Sequence, residues 1–161
     1  MASASNSDLT LLSSLAKGST ARASSTWQHN TKKFGPQNAL DKETEEAWKS
    51  AASEEEPLQY YEVHFKRKVH IEELRVQFQG GFVGMECIIY KKNSDNDEWE
   101  EFEELYLDTI ESNEVQTFGV ELASGQGAVD SCEAIRIEFG KSSDFYGRIV
   151  IYTLEVWGTE C

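Results

Sequence analysis

Cysteine and proline are scarce in this chain, which has 161 residues, three cysteines and two prolines. Cys87, Cys132 and Cys161 are odd in number and widely separated, and no pair has the CxxC or Cys/His spacing of a zinc site. The cysteine pattern therefore predicts neither a disulfide framework nor a zinc module. It favours a reduced compartment over secretion.

Targeting signals are also missing from the sequence. It contains no signal-peptide hydrophobic region, no apolar run long enough to cross a bilayer and no Asn-x-Ser/Thr sequon. Together with the cysteine pattern, these absences predict a protein of the nucleus or cytoplasm without a membrane partner.

Catalytic motifs are absent too. The sequence has no Gly-x-Ser-x-Gly elbow, no His-Glu-x-x-His pair and no Cys/His nucleophile arrangement. Gly125-Gln126-Gly127 lacks the rest of a nucleotide-binding loop, and the three histidines show no metal-ligand spacing. We therefore expect a binding protein and not an enzyme.

Positive charge is in short supply, since 29 acidic residues face 15 basic ones and the net charge is −14. Such a surface repels phosphate backbones and anionic lipids, so direct binding to nucleic acid is not expected. A basic protein partner fits the charge, and so does a cation. The acidic stretch Ser94–Glu104 is either a docking surface for a basic partner or a charged edge that blocks strand aggregation.

The first 18 residues are rich in Ser and Ala and carry few charges. They predict a flexible N-terminal extension, with an organelle transit peptide as the alternative. Residues 19–161 then form a single domain, which is a usual length for one hydrophobic core.

Short alternating segments follow residue 20, around Tyr61–Phe65, Leu74–Phe78, Cys87–Tyr90, Val115–Leu122 and Ile135–Phe139. They are bounded by turn-forming residues, and no later segment keeps a helical period. The pattern predicts an all-β fold.

The final strand, within the sequence DFYGRIVIYTLEVWG, places Glu155 in line with Ile151 and Trp157. This alternation predicts that Glu155 lies on the inward face, where a buried carboxylate requires a partner such as a cation.

The segment FGPQNALDKETEEAWKS, Phe34 to Ser50, contains Ala39-Leu40-Asp41 followed by Trp48. With the strands Gln59–Phe65 and Ile71–Val76 and the closing strand Ile151–Gly158, it resembles the discoidin, or coagulation-factor type C, family of galactose-binding-like domains. The resemblance implies a discoidin-like jelly-roll β-sandwich of two antiparallel sheets.

Three further segments, NTKKFG, RVQFQGGF and DFYGRIVIYTLEVWG, look similar to a family of small proteins that associate with an orphan nuclear receptor of the testicular type. The resemblance implies a protein partner, a nuclear receptor, and repression of its transactivation.

The discoidin resemblance also implies a structural calcium site, because many members of that superfamily hold calcium beside the Ala-x-Asp loop. By position, its ligands would be side chains of Asp41 and Glu155 and carbonyls of Asn38, Glu43 and Leu154. Glu46 replaces the usual threonine. The alternative is a polar cluster without metal, in which Asp41 caps a turn and Glu155 bonds to backbone amides.

Discoidin relatives bind ligands through loop tips, which makes Phe82, Met85, Phe145, Tyr146 and Arg148 the candidate partner-binding residues. Phe82 could instead pack back on the sandwich, and Arg148 could simply fix Asp144.

Two other functions remain open at this point. A carbohydrate-binding module would need exposed aromatic residues such as Trp27 or Trp99 to stack under sugar rings. A structural subunit of a larger assembly, similar to the discoidin-like component of intraflagellar transport, would need an apolar surface patch.

Overall fold

The computed structural model describes residues 9–94, 98–106, 114–119 and 131–160. Over these residues the chain forms strands joined by short helical turns, which confirms the all-β prediction. The strands are β1 Thr10–Leu11, β2 Thr20–Ala23, β3 Trp48–Lys49, β4 Gln59–Phe78, β5 Gly84–Lys92, β6 Glu100–Tyr106, β7 Val115–Gly119, β8 Cys132–Ser142 and β9 Val150–Glu160. The helical turns are Leu15–Lys17, Trp27–His29, Thr31–Phe34 and Pro36–Leu40. In the described ranges, every helix is too short or too polar to span a membrane.

Hydrogen bonds connect the strands into one antiparallel sheet with the order β1-β9-β4-β8-β5-β6, while β2 and β7 pair with β4, and β3 pairs with β9. The expected two separate sheets are therefore confirmed only in part. β4 pairs with β2 and β8 over its first half and with β7 and β9 over its second half. The sheet consequently has two halves that share one long strand.

A bend inside β4 separates these halves. The sequence pattern predicts two strands here, but Gln59–Phe78 is continuous over 20 residues. Lys66 has a positive φ of 66°, and the pairing with β8 shifts register between His64 and Val69. A β-bulge adds residues to one strand and turns its direction. The bend lets one strand serve both halves of the sheet.

The core lies between the halves and is built from the inward residues of both. Trp48 and Tyr61 are fully buried with ring centroids 5.2 Å apart. Phe78 of the second half of β4 meets Phe139 of β8 edge to face at 6.1 Å. These aromatic contacts join the two halves through apolar packing.

The closing strand β9 breaks its alternation, and the prediction that Glu155 faces inward is wrong. Ile151 and Leu154 are both buried, because the register with β4 shifts between the pairs Gln77↔Thr153 and Phe78↔Ile151. The extra residue moves Glu155 to the partly exposed face.

Residues 9–18, which the sequence predicts to be part of a flexible extension, include the strand β1, while residues 1–8 lie outside the described ranges. Thr10 and Leu11 pair with Gly158 and Trp157 of β9. Leu12 is fully buried. The domain therefore begins before residue 19.

Leu12→Ala should lower the free energy of unfolding by about 2–5 kcal/mol, because it removes a fully buried side chain and leaves a cavity. Leu15→Ala is the matched control, since Leu15 is 37% exposed, and its effect should stay within about 0.5 kcal/mol. Urea unfolding of both variants checks this. Equal and small effects would show that residues 9–18 do not belong to the core in solution.

Candidate functional site

Three loops meet at the end of the sheet where β4 finishes and β9 begins: the β4–β5 loop, the β8–β9 loop and the segment between β2 and β3 that carries Trp27. The backbone N–H of Val150 donates to the carbonyl of Phe82 at 3.2 Å, and the N–H of Gln79 donates to the carbonyl of Val150 at 3.0 Å. The loop between β8 and β9 joins them, since the N–H of Ser143 donates to the carbonyl of Val83 at 2.9 Å. Side chains far apart in sequence are thereby held side by side.

Arg148 lies at the centre of this loop cluster. The carbon of its guanidinium is 5.0 Å from the ring centroid of Phe82 and 5.5 Å from those of Trp27 and Tyr146. Cations attract the faces of aromatic rings at such distances. The Arg148 side chain thus organises one aromatic residue from each of the three loops.

Asp144 fixes Arg148 in place. Its carboxylate accepts hydrogen bonds from Nε of Arg148 at 2.9 Å and from the second terminal nitrogen at 3.2 Å. It also accepts the backbone N–H groups of Tyr146 and Arg148. The side-chain hydrogen bond from Arg148 lowers the pKa of Asp144, and the same bond raises the pKa of Arg148. Asp144 and Arg148 therefore hold each other in place, which is the second of the two roles predicted for Arg148.

Gly147 makes the tight turn in this loop possible. Its φ is 75°, and a Cβ at this position would lie 2.2 Å from the backbone carbonyl oxygen of Ser53. Only glycine combines this backbone conformation with this close approach. The backbone conformation of Gly147 and its close contact with Ser53 together fix the turn, and they therefore fix the direction of its tip.

The tip of the loop is strongly apolar. Phe145 is 92% exposed and Tyr146 is 59% exposed, and their rings meet edge to face with centroids 5.2 Å apart. Adjacent exposed aromatic residues are unusual on a soluble surface and are typical of a binding site.

Beside the tip lies a cavity of about 180 Å³. Its walls include the rings of Trp27 and Phe82, and its polar groups include Lys49, Gln79 and Arg148. Aromatic walls with a few hydrogen-bond donors suit a small polar ligand with an apolar face.

The structure therefore brings together four of the five predicted partner-binding residues: Phe82, Phe145, Tyr146 and Arg148. Met85 is half-buried in β5 and does not line the cavity. Phe82 is half-buried against Arg148, so it packs on the loop cluster more than it projects. Sequence reasoning missed Lys49 and Gln79, because nothing local marks them as neighbours of Arg148.

The predicted calcium ligands lie elsewhere, near Asp41 and β9. Oδ1 of Asp41 accepts the backbone N–H of Glu43 at 2.9 Å, which makes a local turn. The side-chain amide of Asn38 donates to the carbonyls of Lys33 and Ala47. Glu46 is exposed, and its backbone N–H donates to Oγ1 of Thr44.

Glu155 is already engaged by protein cations. Its Oε2 lies 3.2 Å from Nζ of Lys42, and its Oε1 lies 3.9 Å from the guanidinium of Arg75 and accepts the indole N–H of Trp157 at 2.9 Å. Leu154 beside it has a buried apolar side chain.

In this arrangement, the predicted ligands around Asp41 and Glu155 do not fit a calcium ion. Calcium takes six to eight oxygen ligands, whereas Lys42 and Arg75 already neutralise the Glu155 carboxylate. Within the described ranges, no three Asp, Glu, His or Cys side chains converge on a point that could hold a metal.

The chain is similar to known proteins over most of its length. The model of the F5/8 type C domain family matches residues 20–141. The nuclear receptor 2C2-associated protein of Danio rerio is 30% identical over 138 residues, covering 86% of this chain and 89% of that protein. The protein of the same name in Homo sapiens is 28% identical, with coverage of 86% and 90%.

Solved structures show the same fold. The F5/8 type C domain of a Bacteroides fragilis protein has a TM-score of 0.70 and 12% identity, covering 89% of this chain and 93% of its own. The family 32 CBM of C. perfringens NanJ, solved in complex with galactose, has a TM-score of 0.69 and 18% identity, with coverage of 92% and 98%. These likenesses establish the jelly-roll-like architecture of the domain.

Calcium should leave the melting temperature of the wild-type protein unchanged relative to chelator, because Lys42 and Arg75 take the place that a metal would need at Glu155. Lys42→Met should lower stability by about 0.2–1 kcal/mol, as expected for an exposed ion pair. Lys17→Met, an exposed control, should have no effect. Thermal unfolding measures both, and a rise in melting temperature with calcium would restore the metal site.

Asp144→Asn should lower the free energy of unfolding at neutral pH by weakening the bonds to Arg148. Because the folded pKa of Asp144 is below its ordinary value of 3.8, its stabilisation is present above that value and is lost as the pH falls through the folded pKa. The gap between wild type and variant should therefore close under acidic conditions. Urea unfolding from neutral pH down to about pH 2 measures it.

The control for this pH series is Asp41→Asn. This variant makes the same chemical change at another carboxylate that accepts a backbone N–H, in this case that of Glu43. A wild-type advantage over Asp144→Asn that persists unchanged to the acid limit would contradict the assignment of the ion pair.

Proposed function

Because the chain belongs to the F5/8 type C domain family, and relatives along its length are named for association with a nuclear receptor, we propose that it is a non-catalytic protein-binding module for a nuclear receptor of the 2C2 type. It acts in the nucleus or cytoplasm. Proteins of this fold bind ligands. In the proposed role, the residues of the loop cluster bind a partner and do not catalyse a reaction.

The observation that carries the proposal is the exposed aromatic pair at the loop tip. Phe145 and Tyr146 are exposed on a loop held by the Asp144–Arg148 pair. Aromatic anchors on a rigid support lose little conformational entropy on binding and bury a large apolar area. They suit a hydrophobic pocket on a protein partner.

The effect that we propose is repression of the receptor's transactivation by masking its DNA-binding surface. DNA-binding surfaces are basic because they neutralise phosphates. A chain with a net charge of −14 competes with DNA for such a surface through electrostatic complementarity. Receptor binding of this kind weakens steeply as salt rises.

A second function has its own observation. The 180 Å³ cavity beside Trp27 and Phe82 combines aromatic walls with the polar groups of Arg148, Lys49 and Gln79. Sugars bind to sites of this composition, in which a ring covers their apolar face and donors contact their hydroxyls. Galactose titration would detect this function, and Trp27→Ala would remove it while leaving Phe145 and Tyr146 intact.

Phe145→Ser with Tyr146→Ser should weaken capture of purified nuclear receptor 2C2 at least about tenfold, because both rings lie exposed at the tip and their removal deletes a hot spot. The matched control is Leu15→Ser, since Leu15 is also an exposed apolar side chain but lies on an N-terminal turn. Surface plasmon resonance with immobilised receptor measures both.

Circular dichroism spectra should be the same for all three proteins, since the substituted side chains are exposed. Undiminished receptor binding by the double variant would exclude the loop tip as the docking site, and absence of binding by the wild type would refute the receptor assignment itself.

A further inference from the structure

A groove of about 290 Å³ lies on the outer surface of the half-sheet formed by β8, β5 and β6, and its lining residues differ from those of the cavity beside the loop tip. Its floor is apolar and includes Pro57 and Ile88. The exposed ring of Tyr106 stands at one side. The rim carries the carboxylates of Glu56, Glu86, Glu104 and Glu138.

Strand register explains why the groove has this composition. Ile88 of β5 lies opposite Glu104 of β6 on one side and opposite Glu138 of β8 on the other. Residues directly opposite in antiparallel strands share a face of the sheet. An apolar side chain is therefore flanked by two carboxylates in one row across three strands.

The next row adds an aromatic ring. Glu86 lies opposite Tyr106 of β6 and opposite Lys141 of β8. The Tyr106 side chain is 67% exposed, so an aromatic surface is available to a partner beside the acidic rim.

The cations near the groove do not cancel its acidic character. The guanidinium of Arg136 lies 3.2 Å from the Glu138 carboxylate, but it also binds Glu62 at 2.8 Å. Lys141 lies opposite Glu86. Arg136 and Lys141 thus stand beside four rim carboxylates, and Arg136 also binds a fifth carboxylate, that of Glu62.

Two tyrosines on this face have carboxylates as neighbours. The Tyr106 hydroxyl donates to Oε1 of Glu104 at 2.9 Å, which raises the pKa of Tyr106. Burial raises the pKa of Tyr90, and the charges of Glu138 and Glu101 raise it further. The four rim carboxylates, not the tyrosines, are what favours an incoming positive charge on this face.

We propose that this groove docks a lysine- or arginine-bearing segment of the protein partner. The aliphatic stem of the basic side chain lies on Ile88 and Pro57, and its charged head is held by Glu86 and Glu104. Tyr106 packs against the stem or, for arginine, against the guanidinium plane. The proposal rests on the protein-binding function above and deepens it by naming the chemistry of the partner.

Charge and size both select this occupant. Nucleic acid and anionic lipid are repelled by a rim of carboxylates. The volume of about 290 Å³ lies at the lower limit of small-molecule sites, so it suits one long side chain and its neighbours. Glu104, the last residue of the acidic stretch Ser94–Glu104, thereby gains a role beyond protecting a strand edge.

The test uses a fluorescent synthetic peptide of alternating lysine and threonine, with a glutamate-threonine peptide as the charge control. Fluorescence anisotropy with the full chain measures its dissociation constant. Glu86→Lys with Glu104→Lys should weaken binding about tenfold or more, since a like charge replaces each attractive one. Tyr106→Ser should weaken it severalfold.

The matched variant is Glu45→Lys with Glu72→Lys, which changes the net charge equally at exposed positions outside the groove lining. It should bind the lysine peptide with at most a slight loss. If both double variants lose affinity equally, the overall charge and not the groove attracts the peptide, and the proposal is overturned.

The receptor measurement separates this proposal from the one it rests on. If wild-type protein fails to bind the lysine peptide but captures the receptor through Phe145 and Tyr146, the groove proposal alone is wrong. If peptide binding depends on the groove but the receptor is not captured, the groove stands and the partner is a different basic protein.

Discussion

The bend at Lys66 in β4 is the constraint on which the rest of the structure depends. A positive φ at a residue with a side chain costs about 1–2 kcal/mol and persists only where the surroundings hold it. Here the strand is fixed on both sides of the bend, because Phe65 before it and Val69 after it are fully buried. The strand can therefore pair with β8 before the bend and with β9 after it.

This shared strand also places the loop cluster. β4 ends at Phe78, which pairs with Ile151 near the start of β9. The loop that leaves β4 and the loop that enters β9 must therefore lie side by side, which brings Phe82 against Arg148. The site is a geometric consequence of how the two halves of the sheet are joined.

The sequence was sufficient for the parts of the fold that depend on local alternation, such as β8 and β5. It was insufficient where a distant segment decides the outcome. Leu12 is buried because its backbone N–H bonds to the carbonyl of Val156 at 2.7 Å, across nearly the whole chain. Nothing in the serine- and alanine-rich neighbourhood of Leu12 signals that contact.

The candidate sites show the same division. The Asp144–Arg148 pair was predictable because its members are four residues apart, whereas Trp27 and Lys49 reach the same cavity from remote segments. Glu155 lies on the partly exposed face and not on the predicted inward face, and its carboxylate still has cationic partners. The partners are Lys42 and Arg75, which only the folded chain brings within reach.

Ion pairing explains how a chain with a net charge of −14 acquires an acidic outer surface. Four arginines form ion pairs within the domain, at partly exposed positions: Arg67 with Glu160, Arg75 with Glu73, Arg136 with Glu62 and Arg148 with Asp144. Arg136 and Arg148 also face aromatic rings.

Cations that hold strands and loops together are less able to offset the carboxylates that project from the sheet. Glu104 is one such carboxylate, and it lies opposite the apolar side chain of Ile88. Folding thus converts a compositional bias into a localised field, which is what a basic partner can recognise.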